Sequence, residues 1–307
     1  VLPIDQVQLH FNPATLGALN FVLALVMFGV AIDLRVEDFR EAIKSPKGLL
    51  LATVGHHLIF PAMTFGLIYI LKPVPSIALG MILVSSCPAG HLSNFLTHLS
   101  KGNAALSVSA SAVSTALAIV MTPINFNFWG NLHPVTRDLM QSISLDPLMM
   151  LYDVLILLGL PLVAGLYLSH QHPQWAKKLH KPMKVLSIGV FISFVIFALA
   201  ANFQHFMAYI EFVVITVFIH NLLALITGFS LSSLLRLPDR DRRAVTFEMG
   251  IQNSGLGLIL IFNLFNGLGG MAIITAWWGV WHIISGLTLA TYWSRREPRL
   301  NTHKEGL

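Results

Sequence analysis

Runs of about 20 mostly apolar residues recur along this 307-residue chain, the length a helix needs to cross a hydrocarbon core of about 30 Å. Composition points the same way. Hydrophobic residues make up 55% and charged residues 11%, against about 25% charged in a soluble domain. The expected class is an all-α polytopic membrane protein embedded in a lipid bilayer. Nine transmembrane spans are expected, at roughly 14–32, 49–71, 76–99, 104–125, 147–168, 185–203, 208–230, 244–265 and 270–293. Turn and breaker residues fill the connectors, as in Ser45-Pro46-Lys47-Gly48 and Lys101-Gly102-Asn103. The stretch 126–146 reads as the longest loop, a segment lying on the surface.

A net charge of +5 raises nucleic acid as a partner, but the basic residues sit in short loops between apolar runs. Placing the loops on alternating sides puts every Lys and Arg except Lys72 and Arg137 on one side. That bias predicts a cell-membrane protein with its N-terminus outside and its C-terminal tail, 294–307, in the cytoplasm. The single cysteine, Cys87, excludes an intrachain disulfide and a cysteine-based zinc site. No apolar run precedes about residue 14, so no cleavable signal peptide is expected.

Two spans carry helix breakers beside polar clusters. Span three reads Cys87-Pro-Ala-Gly-His-Leu-Ser-Asn94, and span eight reads Glu248-Met-Gly-Ile-Gln-Asn-Ser-Gly255. Proline lacks an N–H and glycine is a poor helix former. Irregular backbone at membrane depth is tolerated where it is buried in protein or lines a cavity. If spans 1–4 and 6–9 form two halves, these breaks occupy corresponding positions, the sequence signature of an inverted-repeat transporter with its site at the crossing.

Glu248 lies about one turn inside an apolar span. A carboxylate near the bilayer centre costs about 2.5–3.5 kcal/mol on insertion scales, and such residues usually mark ion paths. A bound cation would offset that cost. A hard cation such as sodium prefers oxygen ligands. Ser93, Asn94, Gln252 and Asn253 supply some, and Ser107 and Ser111 share one face of span four with Ser114 nearby. On spacing alone, membrane serines are slightly more readily packing contacts or bonds to their own backbone. His170 and His172, in a basic loop, read as solvated. Trp277, Trp278 and Trp281 read as packing or interface residues, and Asp153 sits near the outer end of span five. No nucleophile–base pair points to an enzyme.

Both broken segments resemble signatures of the bile acid:sodium symporter family. Cys87–Asn94 is similar to its Cys-Pro-Gly-Gly…Ser-Asn segment, and Glu248–Gly255 to its Glu-x-Gly-x-Gln-Asn-Ser-Gly run. Met27-Phe-Gly-Val-Ala-Ile-Asp-Leu34, Lys101–Val108, Val280-Trp-His-Ile-Ile-Ser-Gly286 and Leu289–Trp293 extend the resemblance over nearly the whole chain. Nine spans match the family's nine-helix animal members rather than its ten-helix bacterial ones.

The resemblance implies sodium-coupled symport of a small organic anion by alternating access, with one or two sodium ions. It implies a panel domain (14–32, 147–203) rocking against a core domain (49–125, 208–293). A first sodium site would use Ser93, Asn94, Ser107, Ser111 and Glu248. A second would use Glu248, Gln252 and the carbonyls of Met249 and Ile251, with His56 where the family usually has a glutamine ligand. The substrate would meet His91 and Asn253 near the crossing, in a pocket that His282 and Ile283 would also line.

Departures from the pattern at Ala89, His91 and Ile283 bear on the substrate. Histidine offers a hard cation only nitrogen, and a protonated His56 could take the place of the second sodium. His57, about 100° around the helix, is not expected to share that role. Two alternatives remain: a proton-coupled or facilitative relative, and a transporter-like sensor that moves nothing.

Overall fold

The computed structural model describes residues 45–143, 147–179 and 203–299 without interruption, with residues 4–6 and scattered positions within 17–32 and 181–193. Most of the expected spans 14–32 and 185–203 lies outside the described residues. All regular structure described is helical, apart from one isolated bridge between Ala89 and Gln252. In chain order the helices are α1 (Pro46–Leu71), α2 (Pro75–Ser86), α3 (Leu92–Leu99), α4 (Ala104–Leu132) and α5 (Pro134–Ile143). They continue as α6 (Pro147–Gln171), α7 (Phe203–Leu234), α8 (Asp239–Gly250), α9 (Ser254–Leu264) and α10 (Gly269–Ser294). Among the described residues, five helices are long and apolar enough to cross a membrane: α1, α4, α6, most of α7, and α10. The shorter apolar α2 and α9 belong to the two spans that the sequence marks as interrupted.

One expected boundary is corrected. The loop placed at 126–146 begins too early, because α4 runs on to Leu132 despite Pro123 inside it. His133 ends α4, and α5 then packs Thr136 and Met140 inward. A proline removes one backbone donor and can be absorbed within a long packed helix, and α4 continues past Pro123.

Apolar side chains line the exterior as well as the core, and a polar cluster lies inside. Leu58, Ile70, Leu160, Val163, Phe212 and Ile215 face outward, while Ser93, Ser107, Ser111, Glu248 and Gln252 are buried. An apolar exterior suits a lipid solvent, where burial of apolar groups no longer discriminates inside from outside. Within the bundle, α2 packs on α10 and α4, α7 on α8, and α3 on α4, α8 and α10.

The basic connectors meet at one end. Lys101 pairs with Glu297, and Asp241 accepts from Asn103 Nδ2 at 2.7 Å and Ser45 Oγ at 2.9 Å. Buried Arg243 donates to the carbonyls of Ser100, Trp293 and Arg296 and to Asp239. These carbonyls lie at or just beyond the C-terminal ends of α3 and α10, where the helix macrodipole favours a cation. The side chain of Lys101 holds the Glu297 carboxyl below its usual range.

Helix α1 contains a π turn at Gly55–Ile59 with a direct cause. Pro61 has no N–H to offer His57 O, and the Phe60 N–H reaches back five residues to Gly55 O. Asn125 Nδ2 donates to the freed His57 carbonyl at 2.7 Å. Pro161 accompanies a matching π turn at Leu155–Gly159 in α6.

Candidate ion and substrate site

The two helical breaks cross and satisfy each other. Gly90 N donates to Ile251 O at 2.8 Å, and Asn253 N to Pro88 O at 2.9 Å. A side chain at residue 90 would place its Cβ 2.9 Å from Gln252 O, so the close approach of the two chains requires glycine there. The second half-helices start from the crossing. His91 precedes α3, and Asn253 caps α9 by accepting from Leu256 N at 3.1 Å.

Other helices supply side chains to the carbonyls that end α2 and α8. Thr122 Oγ1 donates to Ser86 O at 2.7 Å, and Asn221 Nδ2 to Gly250 O at 2.8 Å. Gln252 Nε2 reaches Met249 O at 2.9 Å. His56 Nε2 lies 2.8 Å from Cys87 O, and its Nδ1 lies 3.1 Å from Glu248 O. Unpaired backbone in a low-dielectric interior is costly, so these contacts stabilise the irregular segments.

On the α4 side of the crossing, five predicted residues come together. Ser93 Oγ donates to Glu248 Oε2 at 3.0 Å, and Ser111 Oγ lies 2.9 Å from the same oxygen. Ser111 Oγ is also 3.1 Å from Asn94 Oδ1, to which Ser107 Oγ donates at 2.9 Å. Ser111 has one proton for two acceptors, so oxygen lone pairs outnumber the hydrogens that could satisfy them. Glu248 Oε1 and Gln252 Oε1 are buried with no hydrogen-bond partner among the described residues. A carboxylate, a side-chain amide and three hydroxyls form a donor set suited to a hard cation.

The remaining predicted residues divide. His91 stands half-buried at the first break, and its Nε2 is buried without a partner among the described residues. His282 and the half-buried Ile283 belong to the packing of α10, where the His282 ring lies edge-on to Trp278 at 5.9 Å. His57 Nε2 lies 3.2 Å from Ser114 Oγ, which accepts from Ala89 N. His170 and His172 are exposed, and Asp153 is half-buried.

Sequence reasoning missed Thr122, Asn125, His220 and Asn221. His220 Nδ1 accepts from Trp278 Nε1 at 3.0 Å and its Nε2 meets Thr64 Oγ1 at 2.8 Å, which joins α7, α10 and α1. The signal was available, because His220-Asn221 is a polar pair in the middle of an apolar span.

Apolar spanning helices, two crossed interruptions and a buried carboxylate among oxygen donors are the features of a membrane transporter of the secondary type. The comparisons make this specific. A profile of the sodium bile acid symporter family matches residues 20–209, and the chain belongs to that family. It is 32% identical over 279 residues to the sodium-dependent transporter YocS of Bacillus subtilis (strain 168), covering 91% of this chain and 83% of YocS. It is 30% identical over 278 residues to the probable chloroplastic sodium/metabolite cotransporter BASS1 of Arabidopsis thaliana, covering 90% and 67%. The P3 protein of Mus musculus is 26% identical over 234 residues, covering 76% and 48%.

Proposed function

We propose that this protein is a sodium-coupled symporter of a small organic anion. The observation that carries this reading is the carboxylate of Glu248. It is buried, with Oε2 held by two serine hydroxyls and Oε1 without a partner among the described residues. A charge left so in a membrane protein is costly, and a bound cation offsets the cost. Ser93, Asn94, Ser107, Ser111 and Glu248 hold the sodium in this reading. Its sodium-dependent relatives support the choice of ion.

The N-terminal ends of α3 and α9 begin at the crossing, and their partial positive charge favours an anionic substrate beside His91 and Asn253. Sodium at Glu248 joins α3, α4 and α8 and so sets the geometry of both breaks, which couples ion binding to substrate binding. Alternating access follows as rocking of the core (49–125, 208–293) against the panel (14–32, 147–203). The end bearing the basic connectors faces the cytoplasm.

The test is uptake into proteoliposomes of a panel of radiolabelled small carboxylates. An inward sodium gradient should accumulate at least one of them, and an equal potassium gradient none. Accumulation that is the same with either cation would overturn the reading.

A further inference from the structure

The connector that follows α6 is basic and carries no acid. Between Asp153 and Glu211 the sequence holds no Asp or Glu, yet Lys177, Lys178, Lys181 and Lys184 follow closely on one another. Elsewhere among the basic connectors bases meet acids: Lys101 pairs with Glu297 and Arg243 with Asp239. Lys177, Lys178 and Lys181 are exposed and form no ion pair among the described residues.

This segment has two faces. Residues 173–179 and 181–183 are helical, and helical spacing puts Lys177, Lys178 and Lys181 on one side. Ala176, Leu179 and Met183 turn the other way and pack with Phe28, Ile32 and Leu168. Trp175 is exposed, and the Lys178 ammonium lies 5.4 Å from its ring centroid.

Position says what the lysine face meets. Leu160 and Val163 precede the segment and Val185 and Leu186 follow it, all exposed and apolar, as side chains in lipid are. The lysines therefore lie between α6 and the expected span 185–203, at the depth of the headgroups. An indole is favoured at that depth, and a cluster of lysines there attracts anionic lipid.

We propose that the lysine face of residues 173–183 is a docking surface for the anionic phospholipid headgroups of the surrounding bilayer. Lys177, Lys178 and Lys181 take the phosphates, and Trp175 seats the segment at the interface. The contact is electrostatic and weakens as salt rises.

The experiment titrates the purified full-length protein in detergent with a fluorescent phosphatidylglycerol, read by anisotropy, beside a phosphatidylcholine with the same label. The parent should bind phosphatidylglycerol about tenfold more tightly. Lys177→Gln, Lys178→Gln and Lys181→Gln together should abolish that preference, while Lys177→Arg, Lys178→Arg and Lys181→Arg together should keep it. Arg295→Gln, Arg296→Gln and Arg299→Gln together remove equal charge from another exposed cluster and should leave the preference in place. Melting temperature checks the fold of each variant. A parent that binds both lipids alike overturns the proposal. An equal loss in the Arg295, Arg296 and Arg299 variant also overturns it, because net charge alone would then explain the preference. Displacement of the lipid by millimolar inorganic phosphate overturns it too, because the ligand would then be a free anion.

Discussion

The two breaks look alike on paper and differ in what they contribute. The break between α2 and α3 carries no charge. It supplies neutral oxygens from Ser93 and Asn94, and side chains of α1 and α4 hold its backbone through His56, Thr122 and Ser114. The break between α8 and α9 brings the carboxylate, and its backbone is held by Asn221, Gln252 and His56. In the proposed reading one break brings the charge and the other neutral oxygens, and their crossing beside Ser107 and Ser111 of α4 brings the ligands together. Neither half-site alone would hold an ion, because a lone buried carboxylate is costly and neutral hydroxyls alone bind cations weakly.

Changes that remove ligands should therefore act on sodium, while changes that release backbone should act on stability. The largest effect on sodium from a neutral ligand is expected at Ser111, which touches both Glu248 and Asn94. Ser111→Ala should weaken the sodium-dependent rise in melting temperature more than Ser107→Ala, which loses contacts to Asn94 and Thr97 and none to Glu248. Equal effects of the two would mean that packing, and not ligation, explains these serines.

Asn221→Ala is expected to destabilise the protein by about 1–3 kcal/mol, because Gly250 O would be left buried without its donor. Ser114→Ala should cost about the same, through Ala89 N. Thermal unfolding without sodium measures the loss, and the sodium-dependent increment should survive in both. If that increment disappears in Ser114→Ala, this serine belongs with the ligands.

The smallest effect is expected at the far end. Lys101 and Glu297 form an exposed pair, and exposed pairs contribute little and are screened by salt. Lys101→Ala should leave the sodium response unchanged, and a changed response would place this connector in the coupling pathway.

Much of this site was legible in the chain, for definite reasons. Apolar runs of membrane-spanning length announce helices, and Pro88, Gly90 and Gly250 announce where two of them stop. An acid inside an apolar span has few explanations, so Glu248 stood out. The partners of the broken backbone were harder to see. His56, Thr122 and Asn221 act through contacts far apart in sequence, and a polar residue in a helix does not announce which carbonyl it will meet. His57, next in the chain and turned about the helix from His56, meets different partners: its Nε2 faces Ser114 Oγ, while His56 faces Cys87 O and Glu248 O. The expected spans 14–32 and 185–203 fall largely outside the described residues, and of the three expected panel spans α6 is the one described throughout.

The central claim is that Glu248 holds sodium in the serine cluster, and melting temperature in sodium against potassium at equal ionic strength tests it most directly. A ligand that binds only the folded state raises stability with its concentration. The parent should melt at a higher temperature in sodium than in potassium. Glu248→Gln should fold, melt at least as high as the parent in potassium because it no longer buries a charge, and show no difference between the two salts. A Glu248→Gln protein that keeps the full sodium increment would contradict the account.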